Sequence, residues 1–223
     1  LGETLGAMTG MLNTLLDINQ IEAGIVRAEP VSFPINGMLE RLRDEFAYHA
    51  QAQHLTLHVM PCSLLVHSDP HLLEQVLRNL ISNALKYTTR GKVLVGCRRR
   101  KASISIEIWD TGIGVPEGEL QAIFEEYHQL ANEARERNRG LGLGLTIVKR
   151  LVKLLDHRIH VRSRLDKGSV FAIEVMDPAD GAQPASPGIR QEPDQHDFEG
   201  DIRGVSLLVV EDDPDVRELV VML

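Results

Sequence analysis

Four side chains on one short segment could hold a phosphorylated ligand. Gln75, Asn79, Asn83 and Lys86 are spaced four, four and three residues apart. On a helix that spacing places them on one face, with Leu73, Leu77, Leu80, Ile81 and Ala84 on the opposite side. Amide oxygens suit Mg2+, and a lysine ammonium suits phosphate as a point charge. A plain solvated face would show the same spacing, but asparagine is a poor helix former and two of them are an odd choice for solubility alone.

Two further groups follow. Asp110-Thr111-Gly112-Ile113-Gly114 comes straight after a strand-like run. A carboxylate fixed at a strand end can accept a hydrogen bond from an exocyclic amine, and Gly112 and Gly114 let a flat base approach the backbone. An ordinary strand-ending turn uses the same residues. Gly140-Leu141-Gly142-Leu143-Gly144 leads into a segment rich in Ile147, Val148, Leu151 and Leu154. Glycines before a helix N-terminus leave N–H groups and the positive end of the helix dipole for a phosphate. The G-x-G-x-G spacing is neither the dinucleotide fingerprint nor a P-loop, and a glycine loop can equally be a structural turn.

These groups need elements to position them. Leu1, Leu5, Met8, Leu12 and Leu15 recur at four and three, a coiled-coil-like seam continuing to about Ile21, with Gly24 as a stop. A terminal helix of this kind favours a bundle or dimer over packing on its own domain. A short connector containing Pro30 and Pro34 leads to a helix near residues 35–52, and the alternation of Leu55, Leu57 and Val59 gives a strand. A helix is expected from Pro70 to about Thr88, then a strand pair over Lys92–Arg99 and Ser103–Asp110. In the second of these, Ile104, Ile106 and Ile108 face one way and Ser105, Glu107 and Trp109 the other. Residues 125–139 are charged and loosely patterned; a helix over Leu145–Leu155 and strands over Ile159–Arg164 and Ser169–Val175 close the unit. Helices and strands mix without strict alternation, which places the domain, residues 30–176, in the α+β class.

Residues 177–203 change character, with Pro178, Pro184, Pro187 and Pro193 and almost no large apolar side chains, as in a flexible linker. Beyond it, residues 204–223 hold an apolar strand-type run, Val205–Val210, ending in Glu211-Asp212-Asp213-Pro214. Twenty residues cannot bury a core and are expected to open a further, truncated domain. The chain starts at Leu1 rather than methionine, so a piece of a larger protein is expected.

The net charge of −8 over 223 residues argues against nucleic acid as a partner, since proteins that neutralise phosphate backbones are basic. Cys62 and Cys97 are far apart in sequence, in no metal-ligand spacing, and read as reduced thiols. No run of eighteen apolar residues and no signal peptide occur, so this stretch is expected to be cytoplasmic and to make no membrane contact, whatever anchors the parent.

In order, these segments match a family pattern. Asn79-Leu80-Ile81-Ser82-Asn83-Ala84-Leu85-Lys86-Tyr87-Thr88 resembles the N box of histidine kinases, and Asp110–Gly114 the G1 box. Phe124 resembles the F box, Gly140–Gly144 with Leu145-Thr146-Ile147-Val148 the G2 box, and Lys167-Gly168-Ser169-Val170-Phe171 the last glycine motif. The resemblance implies a Bergerat-type α/β sandwich of the GHKL superfamily, a mixed sheet with helices on one face, binding ATP and Mg2+. By that resemblance Asn83 holds Mg2+, Asn79 supports it, Lys86 reaches phosphate and Tyr87 lines the pocket. Asp110 reads the adenine amine between Gly112 and Gly114. Phe124, Gly140, Leu141, Gly142, Leu143, Gly144 and Thr146 border the nucleotide, residues 125–139 form a lid, and Arg139 meets the terminal phosphate. Arg139 stands where the family often has a small residue.

The termini carry weaker likenesses. Residues 1–24, ending Leu16-Asp17-Ile18-Asn19-Gln20-Ile21-Glu22-Ala23-Gly24, resemble the second helix of a dimerisation and phosphoacceptor hairpin. Val209-Val210-Glu211-Asp212-Asp213 resembles the start of a receiver domain, in which Glu211 and Asp212 would help bind Mg2+. The resemblance therefore implies a hybrid sensor histidine kinase, homodimeric at full length. It would transfer the γ-phosphoryl group of ATP to a hairpin histidine and onward to a receiver aspartate. None of the nine histidines here sits in the context of a phosphoacceptor. Two alternatives are an ATP hydrolase of the same superfamily, whose members carry a glutamate base where this chain has Asn79, and a catalytically inactive nucleotide-binding scaffold.

Overall fold

The computed structural model describes residues 23–101, 103–125, 128 and 143–178. The seam helix of residues 1–22, the segment 129–142, the linker and the acidic pair Glu211 and Asp212 lie outside the described residues.

Seven strands form one mixed sheet. They are β1 (Val31–Pro34), β2 (Leu55–Val59), β3 (Leu65–Ser68), β4 (Gly91–Arg99), β5 (Ser103–Asp110), β6 (Arg158–Arg164) and β7 (Gly168–Met176). The order is β1-β3-β7-β5-β4-β2, with β6 also paired to β7. Only β2 and β4 run parallel; the other pairings are antiparallel. Three helices, α1 (Asn36–Ala52), α2 (Pro70–Tyr87) and α3 (Gly144–Leu154), cover one face. The architecture is the α+β sandwich expected.

Helix α2 shows why the sequence folds this way. Asp69 caps it, its Oδ1 accepting from the N–H groups of His71 and Leu72, and Pro70 takes the first turn, where its missing N–H costs nothing. Leu73, Val76, Leu77, Leu80, Ile81, Ala84 and Leu85 recur at helical spacing and are all buried. They pack against the inward rows of the central strands, including Val93 and Val95, Ile104, Ile106 and Ile108, and Phe171, Ile173 and Val175. Burying each large side chain is worth roughly 1.5–3 kcal/mol, so this face alone fixes the helix on the sheet.

One expectation needs correction. The connector around Pro30 and Pro34 is partly strand: Val31–Pro34 pairs with Leu65–Ser68, a strand the pattern did not announce. The turns Glu117–Glu119 and Ala122–Phe124 are 3-10 helices. In β5 the alternation holds, but the face away from the helices is covered too. Trp109 joins Leu94 and Val170 in a small second cluster. Glu107 is only 6% exposed there, accepting from Trp109 Nε1, Ser105 Oγ and Arg100.

Candidate functional site

The polar face of α2 meets the start of α3. Gly144 is the first residue of α3, and a Cβ placed there would lie 3.4 Å from Asn79 Oδ1, 3.6 Å from Asn83 Nδ2 and 3.7 Å from Asn83 Oδ1. Asn79 donates its Nδ2 to the carbonyl of Gln75 at 2.8 Å, one turn back, which leaves its oxygen turned toward the glycine. The side chain of Leu143 is buried in the core, so only its backbone can serve a ligand. The N-cap residue Leu143 offers no side-chain cap, so among the described residues no cap takes the first N–H groups of α3, which suit another acceptor. Two amides and a helix N-terminus thus lie side by side; the spacing predicts that the two amides share a helix face.

Thr146 and Phe124 belong to the same corner. The buried Thr146 donates its hydroxyl to the carbonyl of Phe124 at 3.4 Å. The pair fastens the Ala122–Phe124 turn to the first turn of α3. Lys86 and Tyr87 sit at the exposed end of α2, the ammonium 5.0 Å from the centre of the Tyr87 ring. Arg139, Gly140, Leu141 and Gly142 lie outside the described residues.

Asp110 closes β5 and is 4% exposed. Burial pushes its carboxyl up to about 6, against the hydrogen bonds it accepts from the N–H groups of Gly112 and Ser169. The Gly112 bond is 2.8 Å. Around it the backbone is packed too tightly for side chains. A Cβ at Gly112 would stand 2.6 Å from the Tyr87 carbonyl oxygen, and one at Gly168, where φ is +118°, would stand 1.9 Å from the Asp110 carbonyl oxygen. At Gly114, φ +67°, it would meet the Arg164 carbonyl oxygen at 2.1 Å. The G1-like loop is therefore wedged between the end of α2 and the β6–β7 hairpin. Thr88, next to it, buries a hydroxyl with no partner among the described residues.

Sequence reasoning placed Ser169 in the last glycine motif without a role of its own and assigned none to Ser163. Their signal was weak: two serines flanking a short Asp-Lys-Gly turn, which pair across the hairpin only once the register is known.

Residues 68–179 match the model of the histidine kinase-, DNA gyrase B-, and HSP90-like ATPases. The chain belongs to that family. Its ATP-binding unit resembles the autoinducer 2 sensor kinase/phosphatase LuxQ of Vibrio vulnificus, 33% identical over 177 residues, 75% of this chain and 21% of that protein. The signal transduction histidine-protein kinase BarA of Escherichia coli is 31% identical over 174 residues, 74% of this chain and 19% of that protein. The chain thus spans about a fifth of the length of these curated relatives. Among solved structures, full-length ShkA in complex with AMPPNP superposes with a TM-score of 0.66 at 25% identity, covering 75% of this chain and 35% of that one. No helix among the described residues is long and apolar enough to cross a membrane.

Proposed function

We propose that this chain carries the ATP-binding catalytic domain of a hybrid sensor histidine kinase. It would transfer the γ-phosphoryl group of ATP to a histidine on a dimerisation hairpin, and from there to a receiver aspartate. The observation that supports this most is the convergence of Asn79, Asn83 and Gly144 at one helix N-terminus, at one end of a site whose other end is the buried Asp110.

The division of labour follows from the chemistry. Asp110 accepts from the adenine amine, and Gly112 and Gly114 let the base lie against the loop. The N–H groups at the start of α3, with Lys86 and the G2-like residues Gly140, Leu141 and Gly142, take the phosphates; Arg139 serves the terminal one. Asn83, supported by Asn79, offers an amide oxygen to Mg2+, a hard cation that usually takes one or two protein oxygens beside substrate phosphates and water. That fits a corner of amides, and no group of three or more His, Cys, Asp or Glu that could hold a metal occurs among the described residues. When bound, Mg2+ supplies neutralisation of charge on the phosphate oxygens. The protein's own residues position the reactants, and positioning with electrostatics accounts for most of phosphoryl-transfer catalysis.

The amide of Asn79 also bears on the alternative. An amide cannot act as a general base toward water at neutral pH, so the site favours transfer to a supplied acceptor over hydrolysis. In this reading residues 1–24 are one helix of the hairpin of a homodimer. Residues 204–223, with Glu211 and Asp212, begin a receiver, and the whole works at the cytoplasmic side.

Incubation with radiolabelled ATP and Mg2+ tests the proposal. We expect this chain to bind Mg·ATP without labelling itself, and the same chain extended upstream through the preceding helix to acquire acid-labile phosphohistidine. Release of inorganic phosphate with no label on the extended chain would make it a hydrolase. Binding with neither label nor release would make it a scaffold. Stoichiometric acid-labile label on the present chain would show the acceptor to be misplaced.

A further inference from the structure

The pairing of β5, β7 and β6 sets Asp110, Ser169 and Ser163 in one row across three strands. Alternation places all three on the helix-covered face, in step with Ile108, Phe171 and Val161. Directly opposed residues in such a row are within side-chain reach of one another.

The Ser163 oxygen lies 2.7 Å from the Val115 nitrogen, 2.9 Å from the Gly168 carbonyl oxygen and 2.9 Å from Ser169 Oγ. A hydroxyl has one proton to give and two lone pairs to offer. One assignment satisfies every contact: Ser163 donates to Gly168 and accepts from the Val115 N–H and the Ser169 hydroxyl. Its capacity is then fully used within the protein, so it has nothing left for a ligand. What it joins is the far end of the loop 111–115 and the first residues of β7. Those two stretches supply the N–H groups, of Gly112 and Ser169, that hold the Asp110 carboxylate. The same loop is tied to the hairpin at a second point, where Asp166 N–H donates to the Ile113 carbonyl at 2.7 Å.

We propose that Ser163 is a positioning residue of the nucleotide site: its hydroxyl latches the G1-like loop to the β6–β7 hairpin and so keeps Asp110 aimed at the base. The inference rests on the reading of Asp110 as the base acceptor. It adds a part of the site lying more than fifty residues further along the chain, on β6.

The test uses Ser163→Ala and Ser163→Thr, which removes and restores the hydroxyl. ADP affinity is measured by calorimetry without metal, and amide exchange is followed by NMR. For Ser163→Ala we expect faster exchange at Val115, unchanged exchange in the β5–β7 ladder, and about a three- to tenfold loss of ADP affinity, the effect of one hydrogen bond. Ser163→Thr should recover both. A purely structural role would raise exchange throughout the ladder instead of at Val115. Unchanged ADP affinity in Ser163→Ala, or an equal loss in Ser163→Thr, overturns the latch. If the unaltered chain binds no ADP, the reading of Asp110 fails, and the Val115 exchange alone then judges whether Ser163 holds the loop. Should Ser163→Ala not fold, Ser163→Cys takes its place with the same readouts, since a thiol of similar size bonds weakly.

Discussion

The two ends of the proposed nucleotide site are built by opposite means. At the base end the geometry is set by backbone: Asp110 is clamped by two N–H groups, and Gly112, Gly114 and Gly168 sit where a Cβ would strike a carbonyl oxygen at 2.6 Å or less. At the phosphate end it is set by side chains. A Cβ at Gly144 would have 3.4 Å or more of clearance, and the surrounding atoms are amides on helix α2. Backbone clamping gives a fixed shape that tolerates no substitution, as suits recognition of a rigid purine. Side chains on helix faces can adjust, as suits phosphates whose charge and metal content change during a reaction. On the proposed assignment, the difference teaches that one site can be rigid where it identifies its ligand and adaptable where it acts on it.

The sharpest way to break this contrast is to add one carbon at the base end. Gly168→Ala forces a Cβ against the Asp110 carbonyl at a φ of +118°. Backbone strain and overpacking together should lower stability by about 3–5 kcal/mol, read by urea denaturation. Gly144→Ala at the phosphate end should cost far less, and equal losses would dissolve the distinction. Next is the pH dependence of Asp110. Its carboxyl is raised from 3.8 to about 6, so the folded state binds a proton that the unfolded chain has already lost. The stabilising contribution is complete below about 3.8 and is lost as pH rises through about 6. Relative to the unaltered chain, Asp110→Asn should therefore gain roughly 2 kcal/mol between pH 4 and 7.5. A difference that stays flat with pH would show that the carboxyl is not held high.

Smaller effects concern binding. Asp110→Ala should weaken ADP by roughly ten- to a hundredfold with or without metal, since it leaves a buried donor unpaired at about 1–3 kcal/mol. Asn83→Ala should weaken nucleotide by about tenfold only when Mg2+ is present, the difference of one charged contact. Calorimetry of both variants with ADP and with Mg·ATP separates the two ends. Metal-independent loss in Asn83→Ala would remove it from the metal site.

Much of this was legible in the sequence. Helix α2 and the inward rows of β4, β5 and β7 declare themselves because periodicity and burial agree over eight or more residues. The facing of Asn79 and Asn83 followed from spacing alone. Strands β1 and β3 did not, because four residues show too little alternation and Pro34 argues against a strand interior. They are strands because they have each other: Phe33 opposes Val66, and only His67 with Met176 joins the pair to the main sheet. The tight approach of Gly114 to Arg164 and the Ser163 latch were equally hidden. Both depend on which residues oppose each other across fifty positions of chain, and local pattern carries no such register.

Asp69 does two things with its two oxygens. Oδ1 caps α2, and Oδ2 accepts the N–H of Glu29 at 2.9 Å, from the segment by which the chain enters the domain. A single carboxylate therefore acts as a pin joint between the incoming strand of chain and the end of a rod. At 1.5 Å per residue, Asn79 lies about 14 Å along that rod from Pro70. A pull or twist on residues 23–29 reaches the rod at its tip, so the same pin that ends one segment is the fulcrum for the other.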